Sequence, residues 1–144
     1  MESIANAFSF LEKQSGLPEF IAIHDAARPL TTAALLERCV DAARECGAAI
    51  AAHRVTDTIH VIDDTDFIQA TPSRSTLWAA ETPQVFRTDL YARALRELDW
   101  RNYPPTDDAS LVRQLPGVCV KLVENTSPNP KITYPNDLVS YENL

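Results

Sequence analysis

The chain has 144 residues, 45% hydrophobic and 23% charged, the balance of one folded domain with too little length for two. Thirteen Lys and Arg against twenty Asp and Glu leave a net charge of −7 with no basic tract, which excludes a general grip on nucleic-acid backbone. Three isolated glycines, Gly16, Gly47 and Gly117, exclude a P-loop or a G-x-G-x-x-G turn within these residues.

Ile4, Phe8 and Leu11 recur at i, i+4 and i+7 and predict an amphipathic helix over residues 3–14, ending near Gly16. Phe20–Ile23 is a short apolar run after Pro18 and predicts a buried strand. It stops at His24-Asp25-Ala26-Ala27-Arg28-Pro29. Thr31 or Thr32 stands where a helix to Cys46 needs a cap, and Gly47 stands where it needs to end. Residues 48–52 predict a second buried strand of small side chains. Residues 56–71 change character: Thr58, Ile59, Val61, Ile62, Phe67 and Ile68 are β-formers around a polar turn at Asp63-Asp64-Thr65-Asp66. They predict a two-stranded arm, and such a ribbon is marginal in water without a partner surface. Thr88 predicts the cap of a helix to Leu98 and Thr106 the cap of another to Leu115. Residues 117–123 alternate as a strand, and Pro135 suits the first turn of a C-terminal helix. Helices alternating with strands predict one α/β domain with a largely parallel sheet.

Cys39, Cys46 and Cys119 include no C-x-x-C pair, so free buried thiols in a reducing compartment are expected rather than a zinc site. No apolar run approaches the roughly 20 residues of a membrane span, and MESIANAF lacks the basic start of a signal peptide. A cytoplasmic protein is expected.

Parallel α/β sheets build their sites at the carboxyl ends of strands. The turn after Phe20–Ile23 sets Asp25 and Arg28 three residues apart beside Pro29. Taken alone, that is the pattern of a turn-stabilising ion pair. Other element boundaries carry polar groups too, at Asp57-Thr58, Thr82-Pro83-Gln84, Thr106-Asp107-Asp108 and Asn129-Pro130-Lys131, and Arg74 lies between Ser73 and Ser75. Sorted by chemistry, the set is three cations (Arg28, Arg74, Lys131) with three hydroxyls (Thr58, Thr82, Thr106). Charge-assisted donors plus hydroxyls are what a phosphate monoester requires. No Ser-His-Asp or Cys-His order is present, and His53 and His60 fall on opposite faces of strand-like sequence. The residues by themselves point to a small anionic substrate and leave the reaction type open.

The order of HDAARP (24–29), TDTI (56–59), SRSTLW (73–78), TPQVF (82–86), TDDAS (106–110) and KIT-x-P-x-DL (131–138) resembles the 2-C-methyl-D-erythritol 4-phosphate cytidylyltransferases of non-mevalonate isoprenoid synthesis. The resemblance runs through the whole chain. It implies transfer of CMP from CTP to the substrate phosphate, with release of pyrophosphate and use of Mg²⁺. It also implies a Rossmann-like nucleotidyltransferase sheet, partial here, with a protruding two-stranded β-arm (residues 55–74) swapped across a homodimer. By the same resemblance Arg74 and Lys131 position the attacking phosphate, and Asp25, Arg28, Thr58 and Thr106 line the substrate pocket. Ser3 matches a nucleotide contact, and Asp25 is a candidate for the metal. Thr58 and Arg74 would serve the neighbouring subunit's site.

The family's glycine-rich CTP-binding loop has no counterpart in these residues, and about an N-terminal third of such an enzyme is unmatched. The chain alone is therefore expected to be inactive and poorly soluble, or to work with a separately encoded N-terminal half. His60 stands where a Lys is usual, Pro130 interrupts N-I-K, and Asn125 replaces a glycine. The alternatives are a ribitol-5-phosphate cytidylyltransferase and a non-catalytic sugar-phosphate-binding or dimerisation module.

Overall fold

The computed structural model describes residues 1–14, 16–134 and 136–137. The amphipathic start forms helix α1 (Glu2–Glu12), and the apolar run after Pro18 forms strand β1 (Phe20–Ile23). Thr32 caps α2 (Ala33–Cys46), its hydroxyl accepting from Leu35 N. Gly47 ends that helix at φ 88°, in the left-handed region where a side chain would be strained. Strand β2 (Ala48–Arg54) follows at once, then the arm strands β3 (Val61–Ile62) and β4 (Ile68–Ala70). The chain returns through a 3₁₀ turn at Arg74–Thr76 into the long strand β5 (Trp78–Arg87). Helices α3 (Thr88–Glu97) and α4 (Asp108–Val112) and strand β6 (Lys121–Glu124) complete the described elements.

The main sheet has the order β1-β5-β2-β6. Strands β1, β2 and β6 share one direction, and β5 runs against both of its neighbours. The expectation of a largely parallel sheet thus holds for strand directions and fails for the pairings, of which only β2–β6 is parallel. The reason lies in the connection. No helix separates β2 from β5, so the chain goes out along the arm and comes back beside β2 like a wide hairpin, which forces antiparallel pairing.

Side chains alternate across the sheet and build a core on each face. Ala49, Ala51 and Val85 meet Leu35, Cys39 and Ala43 of α2. Ala48, Ile50 and Phe86 face the other way, toward Phe8, Leu90, Tyr91 and Leu111. The alanines of β2 are fully buried, and their small size lets helices lie close on both sides. Tyr91 stacks on Phe86 at 5.3 Å and meets Phe8 edge-on at 5.4 Å. Among the described residues no helix is long and apolar enough to cross a membrane.

Four local expectations are corrected. Thr88 does not cap α3: it is that helix's first residue, and its hydroxyl donates to Pro18 O at 2.6 Å. Thr106 does not cap α4 either. Asp107 does, in a capping box with Ser110, and after Val112 the helix tightens into turns, Gln114 N to Leu111 O and Leu115 N to Val112 O, ahead of Pro116. The last strand begins at Lys121, where it first finds β2 to pair with. Of the three thiols, all free, only Cys39 is buried, and burial pushes its pKa up to about 11. Cys46, the last residue of α2, and Cys119, in the stretch before β6, are exposed. The helix expected from Pro135 onward lies outside the described residues.

Candidate functional site

Strand β1 ends at Ile23 and delivers the HDAARP turn to the sheet's edge. Its backbone is held there from two sides: Asp25 N donates to Thr82 Oγ1 at 3.1 Å, and Arg28 N closes a tight turn onto Asp25 O at 2.9 Å. A third bond, Ile132 N to Ala27 O at 2.9 Å, lays the segment carrying Lys131 alongside this turn. The result places one carboxylate between two cations. Asp25 Oδ2 lies 3.1 Å from Lys131 Nζ and 3.6 Å from Arg28 Nε. Arg28 is largely buried, with Nη1 donating to Asn129 O at 2.6 Å, and its Nε is a buried donor with no hydrogen bond. The Asp25 carboxylate at 3.6 Å offsets the cost of burying this donor without a hydrogen bond.

These groups line a cavity of about 510 Å³ together with Ile23, Glu81, Thr82, Gln84, Thr106 and Asp107. Its far wall is the start of α4, and Gln84 fixes that wall. The Gln84 amide donates to Asp107 Oδ2 at 2.9 Å and accepts from Ala109 N at 3.0 Å. Behind it, the Tyr91 hydroxyl donates to Asp108 Oδ1 at 2.6 Å. Burial raises the Asp108 pKa above the usual carboxylate range, and raises the Tyr91 pKa as well.

Of the expected site residues, Asp25, Arg28, Thr106 and Lys131 share this cavity. Arg74 and Thr58 do not line it. Arg74 sits at the base of the arm, donating to Thr56 O at 2.6 Å, and Thr58 is exposed on the arm itself. Ser3 lines a neighbouring apolar groove between α1 and β1. His53 and His60 stay apart, bonded to Glu81 and Thr71 respectively. Among the described residues no cluster of three or more His, Cys, Asp or Glu could hold a metal.

A sequence model of the 2-C-methyl-D-erythritol 4-phosphate cytidylyltransferases matches residues 1–144. The chain belongs to that family. A 2-C-methyl-D-erythritol 4-phosphate cytidylyltransferase of Trichormus variabilis is 42% identical over 141 residues, 98% of this chain and 60% of that protein. The crystal structure of 4-diphosphocytidyl-2C-methyl-D-erythritol synthase from Anaerococcus prevotii superposes with a TM-score of 0.85 at 27% identity, covering 96% of this chain and 63% of that one. The cytidylyltransferase of Thermus thermophilus gives a TM-score of 0.81 at 31% identity, covering 98% and 66%. The chain thus spans about 60% of the length of the curated relatives it matches. Its sheet is the Rossmann-like nucleotidyltransferase sheet of those cytidylyltransferases.

Sequence reasoning missed the groups that support this cavity. Glu81, buried in β5, and the Tyr91–Asp108 pair were not singled out. A charged residue directly after the apolar Trp78-Ala79-Ala80 stretch of β5 was the available signal for Glu81.

Proposed function

We propose that these residues form the sugar-phosphate half of a cytidylyltransferase site. The enzyme transfers CMP from CTP to 2-C-methyl-D-erythritol 4-phosphate and releases pyrophosphate. The observation that carries this reading is that Arg28 and Lys131 line one cavity, drawn together by a single Asp25 oxygen.

The chemistry suits such a site because the nucleophile arrives ready made. A phosphate oxygen of the substrate attacks the α-phosphorus of CTP, the bond to the β-phosphate oxygen breaks, and pyrophosphate leaves. No proton need be removed from the attacking oxygen, so the residues serve by alignment and by neutralising crowded negative charge. Arg28 offers its Nε from a fixed position, since Nη1 is already anchored on Asn129 O. Lys131, half exposed, supplies a point charge that Asp25 holds in reach. Thr106 adds a hydroxyl at the rim.

Mg²⁺ belongs to this proposal as a partner of the nucleotide. It is commonly held by one or two carboxylates plus substrate phosphates, and Asp25 is the carboxylate beside the cavity that fits that part. When bound it would neutralise phosphate charge. The homodimer is likewise proposed, because Thr58 and Arg74 stand on an arm that carries exposed Ile62, Phe67 and Ile68 and pairs only with itself among the described strands. A second copy would bring them to the cavity. A cytoplasmic location completes the reading.

Calorimetric titration of the chain with methylerythritol phosphate tests it. We expect saturable binding that Arg28→Ala weakens at least tenfold and that ribitol 5-phosphate displaces poorly. Binding that Arg28→Ala leaves unchanged would contradict the site, and tighter binding of ribitol 5-phosphate would transfer it to that substrate.

A further inference from the structure

Glu81 is one of the least solvated charged groups among the described residues, 4% exposed in the middle of β5, just before Thr82-Pro83. A carboxylate in that position is tolerated only when donors surround it. Three do, from two separate parts of the chain. His53 Nδ1, at the end of β2, lies 2.6 Å from Oε1. Asn125 Nδ2 and Asn129 Nδ2, from the segment after β6, donate to Oε2 at 3.0 and 2.8 Å.

Asn129 passes this anchorage on. Its Nδ2 also donates to Thr82 O at 3.1 Å, its Oδ1 accepts from Thr31 Oγ1 at 2.9 Å, and its backbone carbonyl receives Arg28 Nη1 at 2.6 Å. Both ends of its side chain and its carbonyl are therefore occupied. Lys131 lies two residues further on, and the next residue, Ile132, is bonded to Ala27 O. Segment 125–132 is thus pinned at Asn125, Asn129 and Ile132, and the deepest pin is Glu81. The two cations of the cavity depend on it differently. Arg28 is held directly by the Asn129 carbonyl, and Lys131 is held through the short stretch between two pins.

We propose that Glu81 is a positioning residue for the phosphate subsite: through Asn129 it fixes Arg28 and Lys131 at the spacing a phosphate monoester meets. This rests on the sugar-phosphate reading of the cavity. Glu81 itself does no chemistry on the substrate. Its two oxygens are taken up by His53 and the two asparagines, which fixes the carboxylate in place.

The test compares Glu81→Gln with Leu90→Val, a core truncation beside Gly47 that does not line the cavity. Glu81→Gln keeps the volume but turns one carboxylate oxygen into a donor facing donors. In the full chain, methylerythritol phosphate should bind Glu81→Gln at least tenfold more weakly than wild type. Leu90→Val, even with a comparable loss of melting temperature, should bind normally. Equal affinity for all three would overturn the proposal. Should Glu81→Gln fail to fold, Asn129→Ser cuts the same link while leaving Glu81 its other two donors. The same loss is then expected, and unchanged affinity overturns the proposal. If wild type itself binds no sugar phosphate, the reading of the cavity falls, and the positioning role is decided by NMR. The Arg28 Nε–H signal should shift in Glu81→Gln, whereas coincidence with wild type overturns the role.

Discussion

Lys131 Nζ lies 3.1 Å from Asp25 Oδ2, and the same oxygen lies 3.6 Å from Arg28 Nε. One carboxylate between two cations leaves this cluster with one positive charge in excess, and the ion pair holds the Lys131 side chain beside the cavity. Lys131→Ala should therefore weaken binding of methylerythritol phosphate by about 1.5–3 kcal/mol, the range for a lost charge-assisted hydrogen bond. Titration calorimetry reads this directly, and an unchanged dissociation constant would remove Lys131 from the site.

Tyr91 and Asp108 form a buried pair whose pH behaviour follows from burial. Burial raises the folded-state pKa of Asp108 above its unfolded value, so the native state binds the extra proton. Asp108's contribution to stability is then fully present below the unfolded pKa of about 3.9 and is lost as pH rises through the folded value. Asp108→Asn keeps an oxygen acceptor for Tyr91 and removes the buried charge. Its melting temperature should equal or exceed wild type at pH 7, with the gap closing toward pH 4. Tyr91→Phe should do the reverse and cost about 1–3 kcal/mol at neutral pH by leaving the carboxylate without its donor.

At the arm tip, Asp63 collects Thr65 Oγ1, Thr65 N, Phe67 N and Gln69 Nε2. Those hydrogen bonds hold its pKa down at about 2. The tip should keep its order above pH 4 and lose it as pH falls toward 2. Amide exchange at Thr65 and Phe67, followed across that window, checks this. Protection that persists in Asp63→Ala would contradict it.

The arm's apolar side chains argue for a second copy. Phe67 is 69% exposed and Ile68 59% exposed, on a ribbon too short to be stable alone. Sedimentation should find a dimer in wild type and a shift toward monomer in Ile68→Lys. A monomeric wild type would contradict the proposed assembly.

Much of this fold was legible because local signals agreed with tertiary ones. The Phe20–Ile23 run, the Thr32 cap and the Gly47 stop each coincide with an observed boundary. The antiparallel course of β5 was not legible, since nothing local says whether a chain leaving β2 along an arm returns beside it. Thr88 and Thr106 misled because a threonine near a helix start reads as a cap. Thr88 instead bonds Pro18 O, and Asp107 outcompetes Thr106. At the site, Asp25, Arg28, Thr106 and Lys131 were legible from motif order. The bond network around Glu81 was not, because it joins β2, β5 and the segment after β6, which only folding brings together.

The most direct measurement is a crystal structure of the chain with methylerythritol 4-phosphate bound. The account predicts the phosphate within hydrogen-bonding distance of Arg28 Nε and Lys131 Nζ, with Arg74 of a second copy reaching it from the arm. A phosphate seated elsewhere, with Arg28 Nε still without a partner, would contradict the account.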